Sequence, residues 1–237
     1  FFSKLSSNSK TLIFDLSSLF SRSENLKLAE KGYNKEHQYL NQINFLLFFS
    51  VDNHLPIMLR PLNGSIKDIK ALRSVLDEVN LKKCILILDR GFASYELPKE
   101  LKGLKSSFIL PLRRNFKLIN YNMKLENSFI YRERGIKWNV KKVGKYYLYL
   151  CEDVKLRAEE DIHFLKLMKE NKKSKKDYLN ESKKFGKIAL LSDLKMNGEK
   201  IYLMWKDRES IEVAFDALKN ELENDKTYLG DEDAVRG

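Results

Sequence analysis

The chain has 237 residues, 43% of them hydrophobic and 11% aromatic, which excludes a disordered polymer and allows one core, or a core with a sizeable insertion. Its 44 lysines and arginines against 33 acids give a net charge of +11. That balance favours a polyanionic partner, through neutralised phosphates and released counterions. No apolar run reaches the ~18–20 residues needed to span a bilayer, and His37, His54 and His163 are too scattered for a zinc site.

In chain order, residues 10–18 read as a short β-rich strand with Asp15 near its end. Residues 42–51 and 55–62 follow as strands parted by the polar turn Asp52-Asn53-His54, a hairpin signal. Ile66, Ile69, Leu72, Leu76 and Val79 recur at helical spacing. Residues 83–92 form an unbroken apolar run closing on Asp89, Arg90, Gly91 and Phe92. Lacking polar alternation, this run suits a central strand buried on both faces of an α/β sheet. An acid at the C-terminal end of such a strand sits where open α/β sheets place their ligands. A turn or helix-cap role accounts for Asp15 or Asp89 equally well. A helix over about 94–104 and a strand over 107–112 come next.

Between 113 and 185 the character changes. Residues 129–134, 136–143 and 146–151 read as short strands with glycine turns at Gly135 and Gly144. The charged stretch 153–185 reads as largely helical. Its opening acids, Glu152, Asp153, Glu159, Glu160 and Asp161, suit the start of a helix. Within it, Lys166, Lys169, Lys172, Lys173, Lys175 and Lys176 face only Glu170 as a counter-charge. That run suits either a DNA backbone or a solvated surface. Residues 186–192 form a further strand. Cys84 and Cys151 sit in apolar contexts, as buried thiols of a reducing compartment do.

A last helix carries Trp205, Arg208, Glu212 and Lys219 along one side, the last three within ~40° of each other at the helical period. Ile211, Ala214, Leu218 and Leu222 form the adjoining apolar stripe. A carboxylate beside a guanidinium and an ammonium suits a metal ion held against phosphate. Solvated ion pairs give the same spacing. Asp52 and Asp68 are assigned turn and cap duties, and Asp207, Glu209 and Asp216 point away from the Arg208–Lys219 side.

Taken together, these segments resemble the DDE transposases of insertion sequences, in the branch with a Tyr-Arg-Glu-Lys signature. Arg208, Glu212 and Lys219 keep that spacing, with Trp205 in the tyrosine position. Asp89-Arg90-Gly91-Phe92 matches the motif of the second acid, and Asp15 with Ser17 that of the first. The stretch from Ser18 to Asn34 also looks like the segment that follows the first acid. The resemblance implies an α/β fold with a ribonuclease H-like core. Residues 1–112 would form its first part, 113–193 a mostly β insertion with a basic helical segment, and 194–237 the return to the core with the catalytic helix. In that fold the first and fourth core strands are neighbours.

The resemblance further implies divalent-metal-dependent phosphoryl transfer: DNA cleavage and strand transfer at transposon ends. Asp15, Asp89 and Glu212 would hold two Mg²⁺ ions, with Mn²⁺ as a substitute, and Arg208, Lys219, Trp205 and Arg90 would contact DNA. The implied partners are double-stranded transposon ends and target, bound by a homodimer, with no membrane and a cytoplasmic, prokaryotic setting. Two alternatives stay open: an inactive DNA-binding remnant, and a ribonuclease H-like nuclease without strand transfer. The ends at Phe1 and Gly237 lack the family's DNA-binding region and closing apolar helix, so a fragment with an exposed apolar patch is expected.

Overall fold

Leu12, Ile13 and Phe14 are completely buried and anchor β1 (Thr11–Ser21). The computed structural model describes residues 9–21, 23, 25–32, 40–75, 83–103, 105–216 and 226–227. The chain divides into two compact units, one comprising 1–107 with 206–237 and the other 108–205. Among the described residues, no helix is long and apolar enough to cross a membrane.

In the first unit, β3 (Asn41–Ser50) runs antiparallel to β1, and β4 (Leu55–Asn63) runs antiparallel to β3. The expected hairpin is therefore present. Its turn is tied to the start of β1, because Asp52 Oδ2 accepts from the Lys10 and Thr11 amides at 2.7 and 2.8 Å. This is the structural duty expected of Asp52. A short β2 (Glu30–Lys31) also pairs with β3. Behind it, Gly64 passes so close to β3 that a Cβ there would lie 1.8 Å from the Gln42 carbonyl oxygen. Asn44 Nδ2 closes the same corner by donating to the Gly64 and Ile66 carbonyls, both at 3.1 Å.

The helix expected from Ile66 onward is α1 (Asp68–Arg73); Leu76 and Val79 lie outside the described residues. Next come β5 (Ile85–Ile87), a 3₁₀ turn at Arg90–Phe92, and α2 (Leu97–Gly103), whose Leu97 amide is capped by Ser94 Oγ at 3.1 Å. β5 pairs with β1 in parallel, as expected of the first and fourth core strands. β11 (Lys226–Thr227) adds a parallel pairing at Phe20 and Ser21. Phe14 meets Phe48 and Phe92 edge-on at 4.9 and 4.7 Å in the core, the arrangement that aromatic quadrupoles favour.

The second unit is built on β6 (Ser107–Pro111), β7 (Asn127–Tyr131), β8 (Arg134–Val143), β9 (Tyr146–Asp153) and β10 (Lys187–Ser192). Their spatial order is β6-β10-β9-β8-β7, all antiparallel. One turn differs from expectation. The β7–β8 connection is Arg132-Glu133, and Gly135 lies inside β8 opposite Ile130. A two-residue hairpin needs two left-handed residues, usually supplied by Asn or Gly. Here Arg132 and Glu133 adopt φ of 44° and 61° themselves, so the glycine marked the wrong position.

The charged stretch is helical as expected, in α3 (Val154–Lys169) and α4 (Lys175–Glu181). Asp153 starts the helix as expected, capping α3 while it binds Arg134 at 2.6 Å. Glu152 differs from the expected helix start: it is buried at the end of β9 and pairs with Lys187 at 2.6 Å. The lysine run gains a second counter-charge, since Glu181 reaches Lys173 at 3.2 Å. In α5 (Gly198–Lys206), Gly198 lies flat against the Trp138 ring, and Tyr202 is enclosed edge-on by Phe129, Tyr131 and Trp205.

Candidate active site

Three acidic side chains define the candidate site, and all of them belong to the first unit. Asp15 lies in the middle of β1, not near its end, because that strand continues to Ser21. The added residues are ordinary strand formers that extend the ladder with β3 as far as Phe20. Asp89 lies two residues beyond the end of β5 and caps the 3₁₀ turn, accepting from the Gly91 amide at 3.4 Å. Both roles weighed for Asp89 are therefore realised together: it sits at a strand's C-terminal end and it caps a turn.

Parallel pairing brings the supports of these two acids side by side. The ladder ends with Ile13 partnered to Ile87; Asp15 follows two residues later within β1, and Asp89 two residues later in the turn that leaves β5. Asp15 and Asp89 are half-buried. Asp15 Oδ1 accepts from the Leu16 amide at 2.9 Å.

Glu212 comes from α6 (Glu209–Asp216), which packs against β1 through an apolar face that includes buried Ile211 and Phe215. The single helix expected to carry Trp205, Arg208 and Glu212 is broken. α5 ends at Lys206, Asp207 and Arg208 form a turn, and α6 starts at Glu209. Asp207 and Ser210 cause the break. The Asp207 carbonyl accepts from both the amide and the hydroxyl of Ser210, at 3.0 and 2.6 Å, the local bonding by which short polar side chains compete with helix continuity. Trp205 accordingly closes α5, packed edge-on against Tyr202 at 5.4 Å. Lys219, Leu218 and Leu222 lie outside the described residues.

Arg208 joins the second and third acids. Its guanidinium reaches Asp89 Oδ1 at 3.3 Å with one nitrogen and Glu212 Oε1 at 2.7 Å with the other. The Arg208 side chain is 21% exposed, against 38% for Asp89 and 52% for Glu212, so water screens both pairs. Each such contact contributes about 0.2–1 kcal/mol. Nearby, Glu209 is held by Lys206 at 2.6 Å. Burial pushes the Asp207 carboxyl above its ordinary range, with His54 opposing and Glu209 adding to the shift. Arg90 is exposed beside Asp89.

Among the described residues no three His, Cys, Asp or Glu side chains close around a point that an ion would fill. The donor chemistry nevertheless fits a hard divalent cation, which takes carboxylate oxygens. A positive group already sits between Asp89 and Glu212, so this pair of acids tolerates a cation between them. The pairing with Arg208 could have been read from the four-residue spacing to Glu212, whereas its reach to Asp89 depends on long-range packing.

A cryo-EM structure of the piggyBac transposase synaptic complex with hairpin DNA has a similar fold, with a TM-score of 0.56 at 12% identity. The match covers 89% of this chain and 40% of that one, so this chain spans about two-fifths of the length of its structural relative. At that identity the likeness is one of fold. No curated protein matches the sequence. The sequence itself matches the Transposase DDE domain family over residues 10–236, and the chain belongs to that family.

Proposed function

We propose that this chain is the catalytic domain of a DNA transposase with a ribonuclease H-like core, and that Asp15, Asp89 and Glu212 hold its divalent metals. The observation that supports the reading is that Asp15 and Asp89 follow the paired ends of adjacent parallel strands, with Arg208 reaching both Asp89 and Glu212. Family membership supplies the reaction class. Two Mg²⁺ ions bound by these carboxylates would neutralise charge on the attacking and leaving oxygens of a phosphodiester.

The protein's own groups do the rest. Asp15, Asp89 and Glu212 would hold the ions, with Asp15 central on its strand. Arg208 offers a planar fork to phosphate, Arg90 an exposed guanidinium beside the site, and Lys219 a point charge. Trp205 retains an indole face in place of the signature's phenol. Water, or a DNA 3′-hydroxyl, attacks phosphorus in line as the opposite oxygen leaves. The first nucleophile gives cleavage and the second strand transfer. Net charge on the chain favours duplex DNA as the partner, and a homodimer bound to two transposon ends fits the reaction.

The test is nicking of supercoiled plasmid with Mg²⁺ or Mn²⁺. Asp15→Asn, Asp89→Asn and Glu212→Gln should each abolish nicking while retaining the wild-type circular dichroism spectrum. Nicking that survives all three substitutions would sink the assignment. Salt-sensitive DNA binding without cleavage under any divalent metal selects the inactive remnant, and cleaved 3′-ends that never join a target select a simple nuclease.

A further inference from the structure

Arg208 occupies an unusual position for a residue whose expected partner is a phosphate. It spans the two acids, 3.3 Å from Asp89 and 2.7 Å from Glu212. It also sits in the two-residue turn between α5 and α6, where its carbonyl accepts the Ile211 amide at 3.1 Å. Its side chain therefore springs from the helix break rather than from a helix interior. Asp89 is fixed by its own turn, and Glu212 by a helix anchored through Ile211 and Phe215. Without a positive group between them, two carboxylates on fixed supports would repel one another.

We propose that Arg208 is an internal counter-cation: it offsets part of the charge of Asp89 and Glu212 in the DNA-free protein, and a DNA phosphate draws it away when nucleic acid binds. This rests on the metal-binding reading above and adds a regulatory consequence. A guanidinium bridging both acids competes with a divalent cation for the same oxygens. A phosphate that engages the guanidinium removes the competitor, so DNA raises cation affinity. By linkage, the cation raises DNA affinity by the same factor. The site is thereby held partly neutralised and metal-poor until substrate arrives.

The test measures Mn²⁺ binding to the full chain by electron paramagnetic resonance, with protein-held Mn²⁺ scored separately from free ion. In DNA-free protein, Arg208→Gln should tighten Mn²⁺ binding about two- to tenfold, the loss of two screened ion pairs. In the wild type, a short duplex should tighten it by about fivefold or more, the low end of ordinary coupling between sites. Asp89→Asn with the same duplex gives the baseline for Mn²⁺ held by DNA itself. In Arg208→Gln the duplex effect should shrink towards that baseline. Unchanged or weaker Mn²⁺ binding in DNA-free Arg208→Gln, or no duplex effect in the wild type, would overturn the proposal. If Asp89→Asn leaves Mn²⁺ binding unaltered with and without DNA, the metal-site reading itself fails. The wild-type arm needs no substitution, so a misfolded variant leaves the test intact.

Discussion

Replacing Lys187 by Met should cost the second unit about 2–4 kcal/mol at pH 7. Lys187 Nζ lies 2.6 Å from Glu152 Oε2, with the two side chains only 10% and 5% exposed. Deleting one partner of a buried pair costs about 3–5 kcal/mol, because the other charge is left desolvated. Some of that is recovered: Arg157 still reaches Glu152 Oε1 at 3.3 Å, but it is 58% exposed and contributes no more than about 1 kcal/mol. The expected fall in melting temperature is about 5–12 °C. Burial pushes the Glu152 carboxyl up, but Lys187 and Arg157 together hold it below its ordinary value of 4.5. The pair's stabilisation is therefore complete above pH 4.5 and is lost as pH falls through the lower folded value. In Lys187→Met burial prevails, so the penalty should shrink in acid, where a protonated Glu152 needs no cation. Urea denaturation at pH 7 and pH 4 measures both. A cost under about 1 kcal/mol at pH 7, or the same cost at both pH values, would refute the reasoning.

Gly198→Ala should destabilise the second unit by about 1–3 kcal/mol by overpacking, since the new Cβ would lie 2.1 Å from Trp138 Cε3; an unshifted thermal transition would count against that contact. Burial pushes the Cys151 thiol up to about 12 and raises the Cys84 thiol too. Iodoacetamide at pH 8 should therefore modify neither thiol until the chain unfolds, and rapid Cys151 alkylation in native protein, read by mass spectrometry, would contradict its burial. Asp52→Ala should cost about 1–3 kcal/mol, because it leaves the Lys10 and Thr11 amides without their carboxylate acceptor. Chemical denaturation reads that cost, and a neutral result would mean water replaces the acceptor freely.

Much of the first unit was legible because its signals are local. The hairpin around Asp52-Asn53-His54 and the buried run before Asp89 depend on hydrophobic pattern alone, and both appear where expected. The adjacency of β1 and β5 was implied by the family resemblance and is present in the parallel ladder. Elsewhere a local signal was outweighed by a stronger competitor. The apolar stripe from Ile211 suggested a continuous helix, but hydrogen bonding between Ser210 and Asp207 breaks it at Arg208. Gly135 looked like a turn, yet Arg132 and Glu133 took the left-handed positions. Glu152 looked like a helix-start acid because its partner, Lys187, is distant in sequence and becomes adjacent only through the β9–β10 ladder. At the site, spacing revealed the Arg208–Glu212 pair, while the reach of Arg208 to Asp89 required the folded arrangement.

The first unit is discontinuous in the chain, whereas residues 108–205 form the second without interruption. Synthesis from the N-terminus therefore delivers Asp15 and Asp89 early, and Glu212 only after the whole second unit has been made. A chain whose synthesis halts between Asp89 and Glu212 carries two of the three acids and at most the first turn of helix α6. On the proposed function such products would lack the third acid, so chain order delays completion of the site until the second unit has been made.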